Sequence, residues 1–276
     1  MLVTTERPKP WRTAGRAWRG LFAALRRMAP LFIIAYVLMA GLDIAIDRVP
    51  AMLSVPSREA FRTTLTAGRS LHAVDLWKAI GLDVASAVLR ALIIAPVAVA
   101  VHRFILLEGR ARFAPLVSLR FAAWILALQA PALVLWWLIL FASQATGLAP
   151  VLSLLLIAYV IVLIQASPLF AAVAVGEPSP TVSARLETAL ERTEHMFLRT
   201  AGTLILTLLP VILARAVAQK AFAKLAEHLP LLAPLAKAAA GLVTVVLVAA
   251  VVSWLYSYVA HRQDAPDTKQ GAPSPV

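Results

Sequence analysis

The 276-residue chain contains no cysteine. That absence removes disulfides, thiolate nucleophiles, iron–sulfur clusters and cysteine zinc sites together. Charge is scarce too. Asp, Glu, Lys and Arg make up 14% of the residues, where a soluble domain typically carries about 25%. Acids are the rarer sign, 14 against 26 lysines and arginines, which gives a net charge of +12. Such a charge points to nucleic acid only when a folded, water-exposed domain presents a basic face. No polar stretch here is long enough to build one, so nucleic acid is excluded as a partner. The sequence also lacks G-x-S-x-G, G-x-x-x-x-G-K-[ST], a dinucleotide fingerprint and both the HExxH and HxxEH zinc patterns. No catalytic, cofactor-binding or metal-ligating residues are therefore assigned, and no cofactor is expected. Glu191, Glu194 and His195 cluster in sequence, but with a single histidine they read as solvated charge beside Arg192 and Arg199.

What the chain has instead is apolar sequence, 61% of its residues, gathered in long blocks. About 20 helical residues cross the ~30 Å hydrocarbon layer of a bilayer. Six blocks approach or exceed that length: Pro30–Ile46, Ala79–Val101, Phe121–Ala142, Val151–Val175, Ala201–Ala218 and Ala238–Val259. The fold expected is all-α, a polytopic bundle of six membrane-spanning helices. Three regions follow: a basic N-terminal tail with a surface helix (1–29), a six-span membrane domain (30–260) and a disordered tail (261–276).

The N-terminal tail carries Arg12, Arg16, Arg19, Arg26 and Arg27, with Trp18, Leu21, Phe22, Leu25 and Met28 at helical spacing between them. That pattern predicts an amphipathic helix lying in the headgroup plane, with the bilayer and its anionic headgroups as partners. A second surface helix is expected over Pro180–Arg199 and a shortened one over Arg110–Arg120. Lysine and arginine are biased to one side: sixteen fall with the chain ends, nine on the opposite side, and Arg90 lies within a span. The positive-inside rule then places both termini in the cytoplasm. The loop after the fifth span, with Arg215, Lys220, Lys224 and Lys237, is more basic than that rule favours.

Taken as architecture, the chain falls into three repeated units, each a surface helix followed by a hairpin of two spans. Residue identity between the units is low, so duplication and convergence both remain open. AVHRFILLEGRARF at the end of the second span, AVAVGEPSPTVSARLETAL and the closing SWLYSYVAHRQ resemble stretches of uncharacterised bacterial six-span inner-membrane proteins. Those are similar to the membrane domain of glycerophosphoryl diester phosphodiesterases. The turn here reads Glu108-Gly109 where the family pattern is Gly-Glu, and the catalytic barrel of those enzymes has no counterpart. The resemblance implies architecture and a bacterial inner-membrane location, and it carries over no hydrolase activity.

The polar residues within the spans need an account. Charge at the bilayer centre costs about 2.5–3.5 kcal/mol on insertion scales, so Arg90 must face protein or water. Helical side chains lean toward the helix N-terminus, which directs Arg90 toward Asp83 on its own helix and toward the depth of Asp43 on the first. Two readings stand: a structural ion pair joining spans one and two, or a polar cavity that binds an anion or relays protons. Gln129 and Gln165 are placed to hydrogen-bond between helices. Pro96, Pro131, Pro168 and Pro210 each free a carbonyl four residues earlier and are candidate kinks. His102 is expected at headgroup level. Three functional classes follow: a non-enzymatic protein bound to lipid or a partner, a small transporter or lipid-translocating protein using Arg90, Asp83 and Asp43, and a membrane-embedded enzyme acting on a lipid headgroup.

Overall fold

The computed structural model describes residues 9–52, 73–107, 114–142, 148–177, 187, 190, 196–226 and 231–263. Among them there is no strand. Eight helices follow in order: α1 (Pro10–Arg27), α2 (Ala29–Met52), α3 (Ala73–Leu106), α4 (Pro115–Ala142), α5 (Leu148–Ala166), α6 (Pro168–Val175), α7 (Phe197–Ala226) and α8 (Leu232–Gln263). Among the described residues, six stretches are long and apolar enough to cross a membrane: Ala29–Val49, Val74–Leu106, Pro115–Ala142, Leu148–Val175, Phe197–Ala218 and Leu232–Ala260. The fold is the expected all-α bundle, with the architecture of a multi-pass membrane protein. Most helices outrun the apolar blocks that announce them. α3, with 34 residues, is about 50 Å long at 1.5 Å per residue, because a helix continues into its polar flanks until something stops it.

Residues 115–120, expected in a separate short surface helix, instead form the first turns of α4. Most of the surface helix expected over Pro180–Arg199 lies outside the described residues, and Phe197–Arg199 open α7. The loop at 53–72 and the tail beyond Gln263 also lie outside them.

The bundle has a near face, where α2 begins and α3 and α8 end, and a far face, where α2 ends and α8 begins. α8 is its axis and packs against α1, α2, α3, α6 and α7. Its sequence explains why. Ala238, Val246, Leu247, Ala250, Val251 and Val252 are all at most 2% exposed, and the small alanines among them let neighbouring backbones approach closely. On α7, the buried Thr203 and Thr207 donate their hydroxyls to the carbonyls of Arg199 and Thr203, both at 2.7 Å, so the helix satisfies its own polar groups.

Of the four prolines expected as kinks, one breaks a helix. Pro168 separates α5 from α6, whereas Pro96, Pro131 and Pro210 sit inside continuous helices. Pro168 has no N–H for the carbonyl of Ile164. Ser167 takes that acceptor over, through its hydroxyl at 2.7 Å and its backbone N–H at 3.3 Å, tightening the turn. Alanine, alanine and leucine precede the other three prolines and offer no such donor. α6 stops at Gly176, whose φ of +78° is a left-handed conformation that glycine adopts without strain. The N–H groups of Gly176 and Glu177 close the end on the carbonyls of Val173 and Ala172.

α1 follows its expected pattern in part. Arg12, Arg16, Arg19, Arg26 and Arg27 are exposed, and so is Phe22. The buried stripe is Thr13, Ala14, Ala17, Leu21 and Ala24, and it faces protein, since α1 packs mainly on α7 and α8. Arg16 lies over the Trp254 ring at 5.5 Å and Arg27 over Phe104 at 6.0 Å, pinning α1 to the near ends of α8 and α3.

Candidate functional site: a shared carboxylate and the cleft beside it

The far half of the bundle holds its charged cluster. α2 and α8 run antiparallel with Met39 beside Gly241. Four residues along each helix, toward the far face, come Asp43 and Lys237. Lys237 Nζ lies 3.3 Å from Asp43 Oδ1. The same oxygen accepts a hydrogen bond from Arg90 Nη2, so Arg90 makes the far-ward reach that its helix direction predicts. The side chain of Asp43 is 2% exposed, against 35% for Arg90 and 41% for Lys237. A single buried carboxylate thus ties α2, α3 and α8 together.

Of the three residues expected to cluster, Arg90 and Asp43 are in direct contact. Asp83 is buried on α3, two turns toward the far face, and its backbone carbonyl accepts the Ser86 hydroxyl at 2.8 Å. Lys237 is the member that sequence reasoning missed, because it was counted as a loop cation. The signal was there: a lone lysine in LAPLAKAAAGL, one residue before the apolar block but in a stretch able to continue its helix.

Lys237 also lines a cleft of about 760 Å³ between the far halves of α7 and α8. Its polar residues are Asp47, Arg215 and Lys237, and most of the remaining wall is alanine, proline and valine. From Lys237 the wall descends to Val243, about 9 Å along the helix axis. Trp18 of α1 and Pro210 of α7 also line the cleft. Its size falls within the roughly 300–1,000 Å³ usual for ligand sites.

The near half holds a buried polar contact. His102, expected among headgroups, is 2% exposed, with its Nδ1 2.7 Å from Ser253 Oγ. Ser253 donates its own proton to the Ala249 carbonyl at 2.8 Å, which leaves its oxygen to accept from His102 Nδ1–H. Ser253 thereby braces α8 against α3, beside the tilted ring pairs His102–Phe121 at 5.7 Å and Phe121–Phe170 at 5.1 Å. A histidine followed by arginine at a span's end reads as a helix terminus facing solvent or headgroups, whereas α3 turns that histidine toward protein. Nearby, Tyr256 donates to Glu177 Oε2 at 2.9 Å. Between α4 and α5 the donor is Tyr159, to the Leu128 carbonyl, while Gln129 is exposed.

Compared with known proteins, the chain matches no family model, no curated protein and no solved structure.

Proposed function

We propose that this chain is a non-catalytic, lipid-associated protein of the bacterial inner membrane, with both termini in the cytoplasm. The observation that carries the proposal is the division of α1. Its small residues are buried against the bundle, while Arg12, Arg16, Arg19, Arg26 and Arg27 all remain exposed. A helix packed at the near face with five exposed arginines concentrates anionic lipid there, each cation contributing about 1 kcal/mol at an anionic surface. The likeness to the phosphodiesterase membrane domain enters this proposal as architecture alone.

The test is the composition of the lipid shell that copurifies in mild detergent. The wild-type shell should be enriched in phosphatidylglycerol over the bulk membrane. A variant combining Arg12→Gln, Arg16→Gln, Arg19→Gln, Arg26→Gln and Arg27→Gln should fall back to the bulk ratio while staying folded. An unenriched wild-type shell, or enrichment that survives all five changes, refutes the reading. A second reading, a lipid-translocating protein, is favoured by the cleft beside Lys237. It requires transfer of labelled lipid between leaflets of reconstituted vesicles.

A further inference from the structure

We infer that the cleft between α7 and α8 is a binding site for one anionic phospholipid, its phosphate held at Lys237 and Arg215 and part of one acyl chain laid along the alanine wall toward Trp18. This inference concerns a site at the opposite end of the bundle from the α1 arginines and does not depend on them.

Charge comes first. Arg90 and Lys237 share one carboxylate oxygen of Asp43, and Lys237 also lines the cleft. Among the described residues of that lining, Lys237 and Arg215 stand with a single acid, Asp47, so its charge is positive. An anion beside Lys237 complements it. The more exposed of the two cations is also the one that faces the cleft.

Shape selects the kind of anion. A free phosphate or small carboxylate needs donors on several sides. Here Lys237 and Arg215 are the only cations among the described lining residues, and the wall from Lys237 to Val243 and from Arg215 back to Pro210 is apolar. Such a wall gains nothing from a small ion but is stabilised by methylene groups, at about 25 cal/mol for each Å² removed from water. A charged head joined to a hydrocarbon tail matches both halves. Alanines at 214, 218, 233, 236, 239 and 240 keep the cleft open, since larger side chains at those positions would fill it.

The experiment titrates purified full-length protein with phosphatidylglycerol and, separately, phosphatidylcholine, and counts bound lipid by native mass spectrometry. One phosphatidylglycerol should bind in preference to phosphatidylcholine. Lys237→Gln leaves the Arg90–Asp43 pair whole and should weaken that binding about tenfold, as loss of a charge-assisted hydrogen bond does. Ala214→Trp, which fills the cleft without touching a charge, should abolish it and so keeps the test alive should Lys237→Gln misfold. Four results overturn the inference: equal retention of the two lipids, binding unchanged in both variants, displacement of the lipid by inorganic phosphate, or a dimer that dissociates when Ala214→Trp fills the cleft. If the α1 arginine variant loses shell enrichment yet keeps the single bound lipid, the cleft stands independently of the proposal for α1.

Discussion

α5 and α8 are almost equally apolar and live in opposite surroundings. In the most apolar 18 residues of the span containing α5 none is buried, whereas in the span formed by α8 56% are. Hydropathy cannot separate the two, because lipid tails and protein interiors are both apolar. Residue size does. α5 reads LAPVLSLLLIAYVIVLIQA and turns Leu154, Leu155, Ile157, Val160 and Ile161 outward. α8 reads GLVTVVLVAAVVS through its middle, and its alanines let five other helices close on it. In a medium with no water to escape from, association rests on close packing and interhelical hydrogen bonds. The helix with small side chains becomes the axis, and the helix with long ones stays at the rim. Charge follows the same division: α5 carries no Asp, Glu, Lys, Arg or His, while α8 contributes Lys237 to the Asp43 cluster.

The division can be pressed hardest at that cluster. Asp43→Asn leaves Arg90 and Lys237 without their shared counter-charge and should cost about 3 kcal/mol, the low end of the range for breaking a buried pair, because the stranded cations are 35% and 41% exposed. The readout is the unfolding midpoint in a mild detergent. A loss below 1 kcal/mol would mean that water already screens the site. Of similar size is a matched pair of truncations. Leu247→Ala on α8, at a fully buried side chain, should cost about 2–5 kcal/mol. Leu154→Ala on α5, 66% exposed, should cost within about 0.5 kcal/mol. Equal losses would break the contrast between axis and rim. The finest test is polar. Ser253→Ala strands the Nδ1–H of His102 and should cost about 1–3 kcal/mol. Ser153→Ala on α5 removes only a hydroxyl bonded to the Ala149 carbonyl of its own helix and should cost a few tenths.

The same division marks what could be read in the sequence. The six spans were legible because a continuous apolar run of that length has few other solutions. The approach of Arg90 to Asp43 was legible because helix direction fixes where a long side chain leans. Lys237 was not, because block boundaries drawn from hydropathy begin at Ala238, one residue too late. The spans Phe197–Ala218 and Leu232–Ala260 take in Arg215 and Lys237, which leaves two of the four cations, Lys220 and Lys224, between them. His102 and Ser253 lie 151 residues apart, and no local pattern announces a hydrogen bond at that distance. The buried stripe of α1 was half legible: the exposed arginines followed from spacing, but alanine and threonine carry too little hydrophobic signal to show that the stripe meets protein instead of lipid.

All of this rests on six crossings with both chain ends on the inner side, and the absence of cysteine makes that directly measurable. Single substitutions Ser57→Cys, Gly147→Cys, Ser183→Cys and Lys220→Cys can be treated with a membrane-impermeant thiol reagent in intact cells. The account predicts labelling at positions 57, 147 and 220, and labelling at 183 only after the membrane is opened. Labelling at 183 in intact cells, or protection at 57 and 220, would contradict it.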